Sequence, residues 1–276
     1  PRTEGISSTM LREESQEVVK LGIVGMGRVG KRFLTEGPFV SGIRVEAAFD
    51  VDTESLKDYL KDKEGIGACA DFDELLDKSD AVYVATPHLS HYEYCKRAIL
   101  AGKHVLCETP FVLDGRQAEE LYDLAKVHQV VLMEANKTAH CPAFNHLMVM
   151  IKSGVIGTVV DIEASLSKLL PDKSLREFDP AQAGGSMFEL GSYPLLPIIK
   201  LLGTDFRHVS FYSLMENGVD IYTKGFMHYP KAVCSFKLGL GVKTEGNLII
   251  SGTKGYAYVP APWWKTDYFE LRYEDQ

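Results

Sequence analysis

Cysteine is sparse and scattered. The five cysteines (Cys69, Cys95, Cys107, Cys141 and Cys234) form no CxxC pair, which argues against a disulfide framework or a thiolate zinc site and suits a reducing, cytoplasmic setting. No apolar run approaches the roughly 18–20 residues that a membrane-spanning helix needs, and no signal-peptide pattern opens the chain. Basic residues are outnumbered, 30 against 38, for a net charge of −8 with no block of either sign. Such a balance offers no electrostatic reason to expect nucleic acid or an anionic membrane as partner. Repeats and low-complexity stretches are absent as well. What remains is ordinary globular composition, 45% hydrophobic and 25% charged over 276 residues, enough for two domains.

Two regimes divide the chain. Across residues 18–138, short β-branched runs (21–24, 45–49, 81–85, 104–107 and 130–133) alternate with segments of helical periodicity (29–35, 54–61, 91–100 and 115–128). In the last helix Ala118, Leu121, Tyr122, Leu124 and Ala125 are expected to share a buried stripe. Continuous apolar strands alternating with helices predict an α/β, doubly wound parallel sheet. Across residues 139–276 a connecting helix (143–153) leads into longer strands at 159–167, 207–215, 220–228, 231–237, 244–250 and 268–272, with one helix over 185–202. Turn signals at Asn217 and Gly218, Tyr229 and Pro230, and Gly252 to Gly255 separate them. Strands in hairpin order predict an α+β domain with an open-faced, mainly antiparallel sheet. Residues 1–17 read as a polar tail or linker.

The sharpest motif is Gly25-Met26-Gly27-Arg28-Val29-Gly30. This GxGxxG follows an apolar strand and opens a helix, the context in which glycines permit a tight turn, close approach of a pyrophosphate and close helix packing. The helix N-terminus then offers free N–H groups to phosphate. Asp50 ends the next strand, near the expected spacing of about 20 residues. Its carboxylate would accept from a ribose diol and repel a 2′-phosphate, which predicts NAD over NADP. Asp50 and Asp52 also read as turn or cap residues ahead of Thr53. No Cys–His or GxSxG signature supports nucleophilic hydrolysis. His88, His91 and Glu108 lack metal-ligand spacing on one element, so no metal is expected.

Residues 85–91 (Ala-Thr-Pro-His-Leu-Ser-His), 101–110 (Ala-Gly-Lys-His-Val-Leu-Cys-Glu-Thr-Pro) and 184–193 (Gly-Gly-Ser-Met-Phe-Glu-Leu-Gly-Ser-Tyr), with the glycine turn, resemble the glucose–fructose oxidoreductase / inositol dehydrogenase (Gfo/Idh/MocA) family. The resemblance implies an N-terminal Rossmann domain, a C-terminal open-faced sheet used for homo-oligomerisation, and hydride transfer between a nicotinamide and a CH–OH carbon of a sugar, polyol or nucleotide-activated sugar. It implies cofactor contacts from Thr86, Pro87, His91 and Glu108 beside the glycine turn and Asp50. It also implies Tyr193 as the proton-exchanging group and Glu189 as the residue orienting substrate hydroxyls. Departures accompany it: His88 stands where the family usually has Asn, Glu189 where it commonly has Asp, and Thr109 replaces the lysine of a Glu-Lys-Pro motif. An ammonium there would stabilise developing negative charge, a contribution whose loss costs on the order of 10²–10³ in rate. Lys137, after the sixth strand, is the expected partial substitute, and a solvated loop cation is its plainer reading. The competing function is a non-catalytic dinucleotide-binding module with a regulatory or scaffolding role. His140 reads as a surface residue, and Trp263 and Trp264 as a sugar platform or, more plainly, as packing.

Residues 1–9 (Pro-Arg-Thr-Glu-Gly-Ile-Ser-Ser-Thr) resemble the tail motif of glycerol-3-phosphate-type cytidylyltransferases. That resemblance implies a covalently linked upstream nucleotidyltransferase, and the final residues read as an incomplete end of the second domain.

Overall fold

A computed structural model describes residues 18–274. The 1–9 motif lies outside the described residues. The chain divides into two compact units, one ending at Val82 and the other beginning at Tyr83.

In the first unit, β1 (Val19–Val24) enters the glycine turn and α1 (Arg28–Glu36). There follow β2 (Ile43–Phe49), α2 (Thr53–Leu60), the two-residue β3 (Gly67–Ala68) and α3 (Phe72–Asp77). β1 pairs parallel with β2, and β2 with β3. Ile23, Val24, Ala47 and Ala48 are fully buried, as expected of strands covered on both faces. Asp52 caps α2 through the Ser55 amide at 3.1 Å, and Asp71 caps α3 through the Glu74 amide at 2.8 Å, each satisfying an otherwise unpaired first-turn donor.

β4 (Ala81–Val84) leads into the second unit. Its α/β part holds α4 (His91–Leu100), β5 (His104–Cys107), α5 (Gly115–Val127) and β6 (Leu132–Glu134). The parallel sheet has the order β3-β2-β1-β4-β5-β6, the doubly wound arrangement of dinucleotide-binding folds. On α5 only part of the expected stripe is buried. Leu121 and Ala125 are inside, whereas Tyr122 is 49% exposed, its ring tilted against that of Phe111.

After α6 (Pro142–Lys152) the chain enters a seven-stranded sheet. It comprises β7 (Val159–Ser167), β8 (His208–Glu216), β9 (Val219–His228), β10 (Val233–Gly239), β11 (Leu248–Gly252), β12 (Gly255–Val259) and β13 (Glu270–Tyr273). All described pairings are antiparallel except β7 with β10. α7 (Ser186–Leu190) and α8 (Ser192–Leu202) replace the single helix expected over 185–202. They meet at Gly191, where a Cβ would lie 2.5 Å from the Met187 carbonyl oxygen.

One face of this sheet carries the core: Phe144, Leu147, Ile162, Phe236, Leu248 and Ile250 are fully buried or nearly so. Trp263 is also fully buried, its indole N–H donating to the Ser165 carbonyl at 2.9 Å, so it packs the core and offers no platform to a sugar. Along the edge strand β8, Phe211, Tyr212, Leu214 and Met215 are exposed. Among the described residues no helix is long and apolar enough to cross a membrane.

Candidate active site

The first unit supplies a phosphate-cradling turn. Gly25 has φ +92°, a conformation that glycine adopts without steric cost. A Cβ on Gly30 would sit 2.0 Å from the Gly25 carbonyl oxygen, so α1 can begin this close to β1 only through a glycine. A Cβ on Gly27 would meet no atom within 4 Å. The turn therefore leaves open space above the middle glycine and no space at the last. Among the described residues, the N-terminus of α1 has no side-chain cap and no acid in its first turn, so its amides and positive dipole end remain available to an anion. Asp50 lies at the end of β2. Its Oδ2 accepts from the Met26 amide at 2.7 Å and its Oδ1 from the Asp52 amide at 2.9 Å. Met26 is buried, whereas Gly27 and Arg28 are exposed. This cradle fits a dinucleotide pyrophosphate, with one carboxylate at hand for a ribose.

The second unit gathers a polar cluster at the C-terminal ends of β4, β5 and β6. Tyr83, buried on β4, donates through its hydroxyl to Glu108 Oε1 just past β5. Burial and the Glu108 charge together push the Tyr83 hydroxyl far above its usual range. Glu134 ends β6 and accepts from the Phe111 amide at 3.2 Å. Burial raises its carboxyl, the Phe111 amide and Ser192 hydroxyl oppose the rise, and Glu108 adds to it.

Tyr193 on α8 joins this cluster. Burial raises its hydroxyl first and the charges of Glu108 and Glu134 raise it further, while a hydrogen bond with the Thr109 side chain acts in the opposite sense. Tyr193 is thus a half-buried acid that stays protonated through neutral pH.

A second group lies beside it in the chain. Glu189 on α7 accepts from Arg176 Nη1 at 2.8 Å, and its Oε1 lies 3.3 Å from His88 Nε2. Burial raises the Glu189 carboxyl against the attraction of Arg176. His88 is 4% exposed and sits 3.2 Å from the Ala183 carbonyl through Nδ1. Burial, then the Arg176 charge, lowers it to about 4, so it is a neutral ring.

Of the other expected site residues, Thr86 is half-buried and receives the Ser90 hydroxyl at 2.8 Å, and Pro87 is exposed. His91 is fully buried, with both ring nitrogens 2.8 Å from backbone carbonyl oxygens. Lys137 is exposed at the start of a short 3-10 turn. His140 is exposed. Sequence reading missed Tyr83, Glu134 and Arg176. The first two had a signal, since side chains at the C-terminal ends of parallel strands line ligand crevices in this class of fold. Arg176 had none, because it reaches Glu189 and His88 only through the loop that follows β7.

Residues 19–136 match the family model described as "Oxidoreductase family, NAD-binding Rossmann fold", and residues 144–258 match the GFO/IDH/MocA C-terminal domain. The chain belongs to the GFO/IDH/MocA family. A scyllo-inositol 2-dehydrogenase (NADP(+)), IolU, of Bacillus subtilis (strain 168) is 30% identical over 195 residues, covering 67% of this chain and 59% of that protein. The trans-1,2-dihydrobenzene-1,2-diol dehydrogenase of Bos taurus is 28% identical over 260 residues, covering 89% of this chain and 75% of that protein. Among solved structures, a 3-ketoreductase from Actinomadura kijaniata in complex with NADP and TDP-benzene superposes with a TM-score of 0.83 at 24% identity, covering 94% of this chain and 82% of that one. The last is a likeness of fold. The chain spans less than two thirds of the length of IolU. Within the family, the fold and the glycine turn are therefore those of its NAD-binding Rossmann domain.

Proposed function

We propose that the protein catalyses hydride transfer between a nicotinamide dinucleotide and a CH–OH or carbonyl carbon of a sugar, polyol or nucleotide-activated sugar. The observation that carries this reading is Tyr193, half-buried on α8, its hydroxyl raised by burial and by the charges of Glu108 and Glu134. Gly25, Met26, Gly27, Arg28, Val29 and Gly30 would hold the pyrophosphate. Asp50 would hold the adenosine ribose, Thr86 and Pro87 would flank the cofactor, and Glu108 would take the nicotinamide ribose. The bound nicotinamide supplies or accepts the hydride. Tyr193 Oη holds the proton that the substrate oxygen gains or gives up, as a general acid in the reducing direction. Glu189, fixed by Arg176, would orient substrate hydroxyls, and Lys137 would add positive charge near the developing oxyanion.

The raised Tyr193 hydroxyl is present in its protonated, proton-donating form at neutral pH, which supports reduction of a carbonyl as the direction. Asp50 supports NAD, since a carboxylate at this position repels a 2′-phosphate; IolU and the Actinomadura enzyme are described with NADP. The apolar residues of β8 support self-association through the open sheet face, and the scattered, unpaired cysteines support a cytoplasmic setting.

Thr109 favours one second reading. Its side chain carries no charge, which a cofactor-binding regulatory module would tolerate. Turnover assays with NADH and NADPH against keto-sugars, inositols and nucleotide-activated keto-sugars separate the two. Cofactor oxidation that depends on substrate and disappears in Tyr193→Phe supports the enzyme. Tight cofactor binding with no turnover on any of these classes would leave the binding module.

A further inference from the structure

One acid takes no part in the site described above, yet three donors converge on a single oxygen of it. Asp220 Oδ2, on β9, accepts from the Ser186 hydroxyl at 2.5 Å, the Thr223 hydroxyl at 2.6 Å and the Met187 amide at 2.9 Å. Ser186 is fully buried and Thr223 is 2% exposed, so each hydroxyl needs a partner inside the protein. Thr223 in turn pairs with the Ser213 hydroxyl at 2.8 Å.

The backbone is shaped to bring these groups together. Residues three apart on a regular strand face opposite sides of the sheet. Between β8 and β9, however, Leu214 pairs with Tyr222 and Met215 with Asp220, which leaves Ile221 as the extra residue of a bulge. The Ile221 carbonyl turns instead to the Leu240 and Gly241 amides, at 2.8 and 3.0 Å. The bulge puts Asp220 and Thr223 within hydrogen-bond reach of each other. From the other direction, Gly185 has φ +114°, and a Cβ there would sit 2.1 Å from Asp220 Oδ1. Only a glycine lets the acid come this close to the start of α7.

What Asp220 holds is the segment that carries Glu189. Ser186 and Met187 are the first two residues of α7, and the Glu189 amide closes that turn on the Gly185 carbonyl at 3.0 Å. The Gly185 amide is itself tied to the Glu177 carbonyl at 2.8 Å. Asp220 thus grips α7 through a side chain and through the main chain, two residues before the carboxyl group that meets Arg176 and His88. We propose that Asp220 is a positioning residue that sets the place of Glu189 and, through it, of the substrate hydroxyls. The hold on α7 stands on the geometry; its effect on substrate rests on the role of Glu189 proposed above.

The test compares Asp220→Ala with Asp220→Asn in the full chain. The alanine variant strips all three donors of their acceptor, whereas the amide oxygen of asparagine can stand where Oδ2 stands. Hydrogen exchange reads the hold without any substrate. The Met187 and Glu189 amides should exchange at least about tenfold faster in Asp220→Ala and near the parent rate in Asp220→Asn. Unchanged exchange in Asp220→Ala overturns the hold. Turnover reads the consequence, with NADH and whichever keto-sugar or nucleotide-activated keto-sugar the parent chain reduces. KM for that substrate should rise at least about fivefold in Asp220→Ala, with NADH affinity within about twofold of the parent, and should return in Asp220→Asn. In a Glu189→Gln background the same alanine should change KM by less than about twofold, because the group through which it acts is already gone. A KM rise as large in that background as in the parent overturns action through Glu189. So does a loss of NADH affinity in step with KM, the mark of general loosening. If Asp220→Ala does not fold, Ser186→Ala removes one of the three donors and is judged by the same readouts. A parent chain that turns over no substrate would overturn the enzyme reading, and with it the effect on substrate, and leave exchange to decide the hold.

Discussion

The Asp50 carboxylate accepts a hydrogen bond from the Met26 amide at 2.7 Å, so the acid at the end of β2 braces the glycine turn before any ligand arrives. Its two oxygens keep further lone pairs for a ribose diol. Asp50→Ala should therefore do two things at once. Loss of the brace should lower stability by about 1–2 kcal/mol, and loss of the anion should narrow the preference for NADH over NADPH. Asp50→Asn, which keeps an acceptor, should recover most of the stability without recovering the selectivity. Denaturant unfolding and cofactor titration of both variants check this, and an unchanged NADH/NADPH ratio in Asp50→Ala would remove Asp50 from cofactor choice.

Gly27 and Gly30 should fail differently when replaced by alanine. A Cβ at position 30 meets the Gly25 carbonyl oxygen at 2.0 Å, whereas one at position 27 meets nothing. Gly30→Ala should unfold several degrees lower, as backbone must shift to admit it. Gly27→Ala should melt like the parent chain yet bind the cofactor at least about tenfold more weakly, because the methyl occupies space a pyrophosphate needs. Equal affinity in Gly27→Ala would mean that the phosphates lie elsewhere.

Tyr193 is raised by burial, Glu108 and Glu134. Its acid form therefore persists well into alkaline solution, and a reductase relying on it should lose activity only at high pH. Tyr193→Phe should cost about 10²–10⁴ in turnover. Thr109→Lys places an ammonium where Thr109 now meets the hydroxyl, which stabilises the tyrosinate. The alkaline limb of the rate profile should then move to lower pH. A limb unmoved in Thr109→Lys would show that Tyr193 is not the group titrating.

His88 links stability to acid. Its folded state holds it at about 4 against the usual 6.5, mainly through burial and then through Arg176. Between those values the unfolded chain binds the extra proton, so stability rises with pH across this window and is lost as pH falls through it. The loss should reach on the order of 2 kcal/mol by about pH 4. Melting temperatures of the parent chain and His88→Gln over this range should diverge toward the acid side, with the parent falling faster. Parallel curves would contradict a neutral, buried His88.

Periodicity located β1, β2, β4, β5 and α4 closely, because covered parallel strands and one-faced helices leave plain patterns. It could not see β3, whose two residues, Gly67 and Ala68, belong to the sheet only by pairing with β2. Nor did it see α3, whose six residues are too few for a period to show. Tyr122 was expected inside on spacing alone, yet it lies on the rim of the α5 stripe, its ring beside that of Phe111. In the site, Gly25, Gly27, Gly30 and Asp50 were legible because a turn that cradles phosphate has fixed spacing. The Glu108, Glu134 and Tyr193 cluster was legible only in part, since its members come from different elements and their effect on one another is a matter of burial.

The central claim is that the glycine turn of this chain binds a nicotinamide dinucleotide. Nicotinamide fluorescence during titration with NADH, then NADPH, tests it most directly, with Gly27→Ala as the folded control. The account predicts micromolar binding that favours NADH and is lost in Gly27→Ala; absence of binding to either cofactor by the folded parent chain would contradict it.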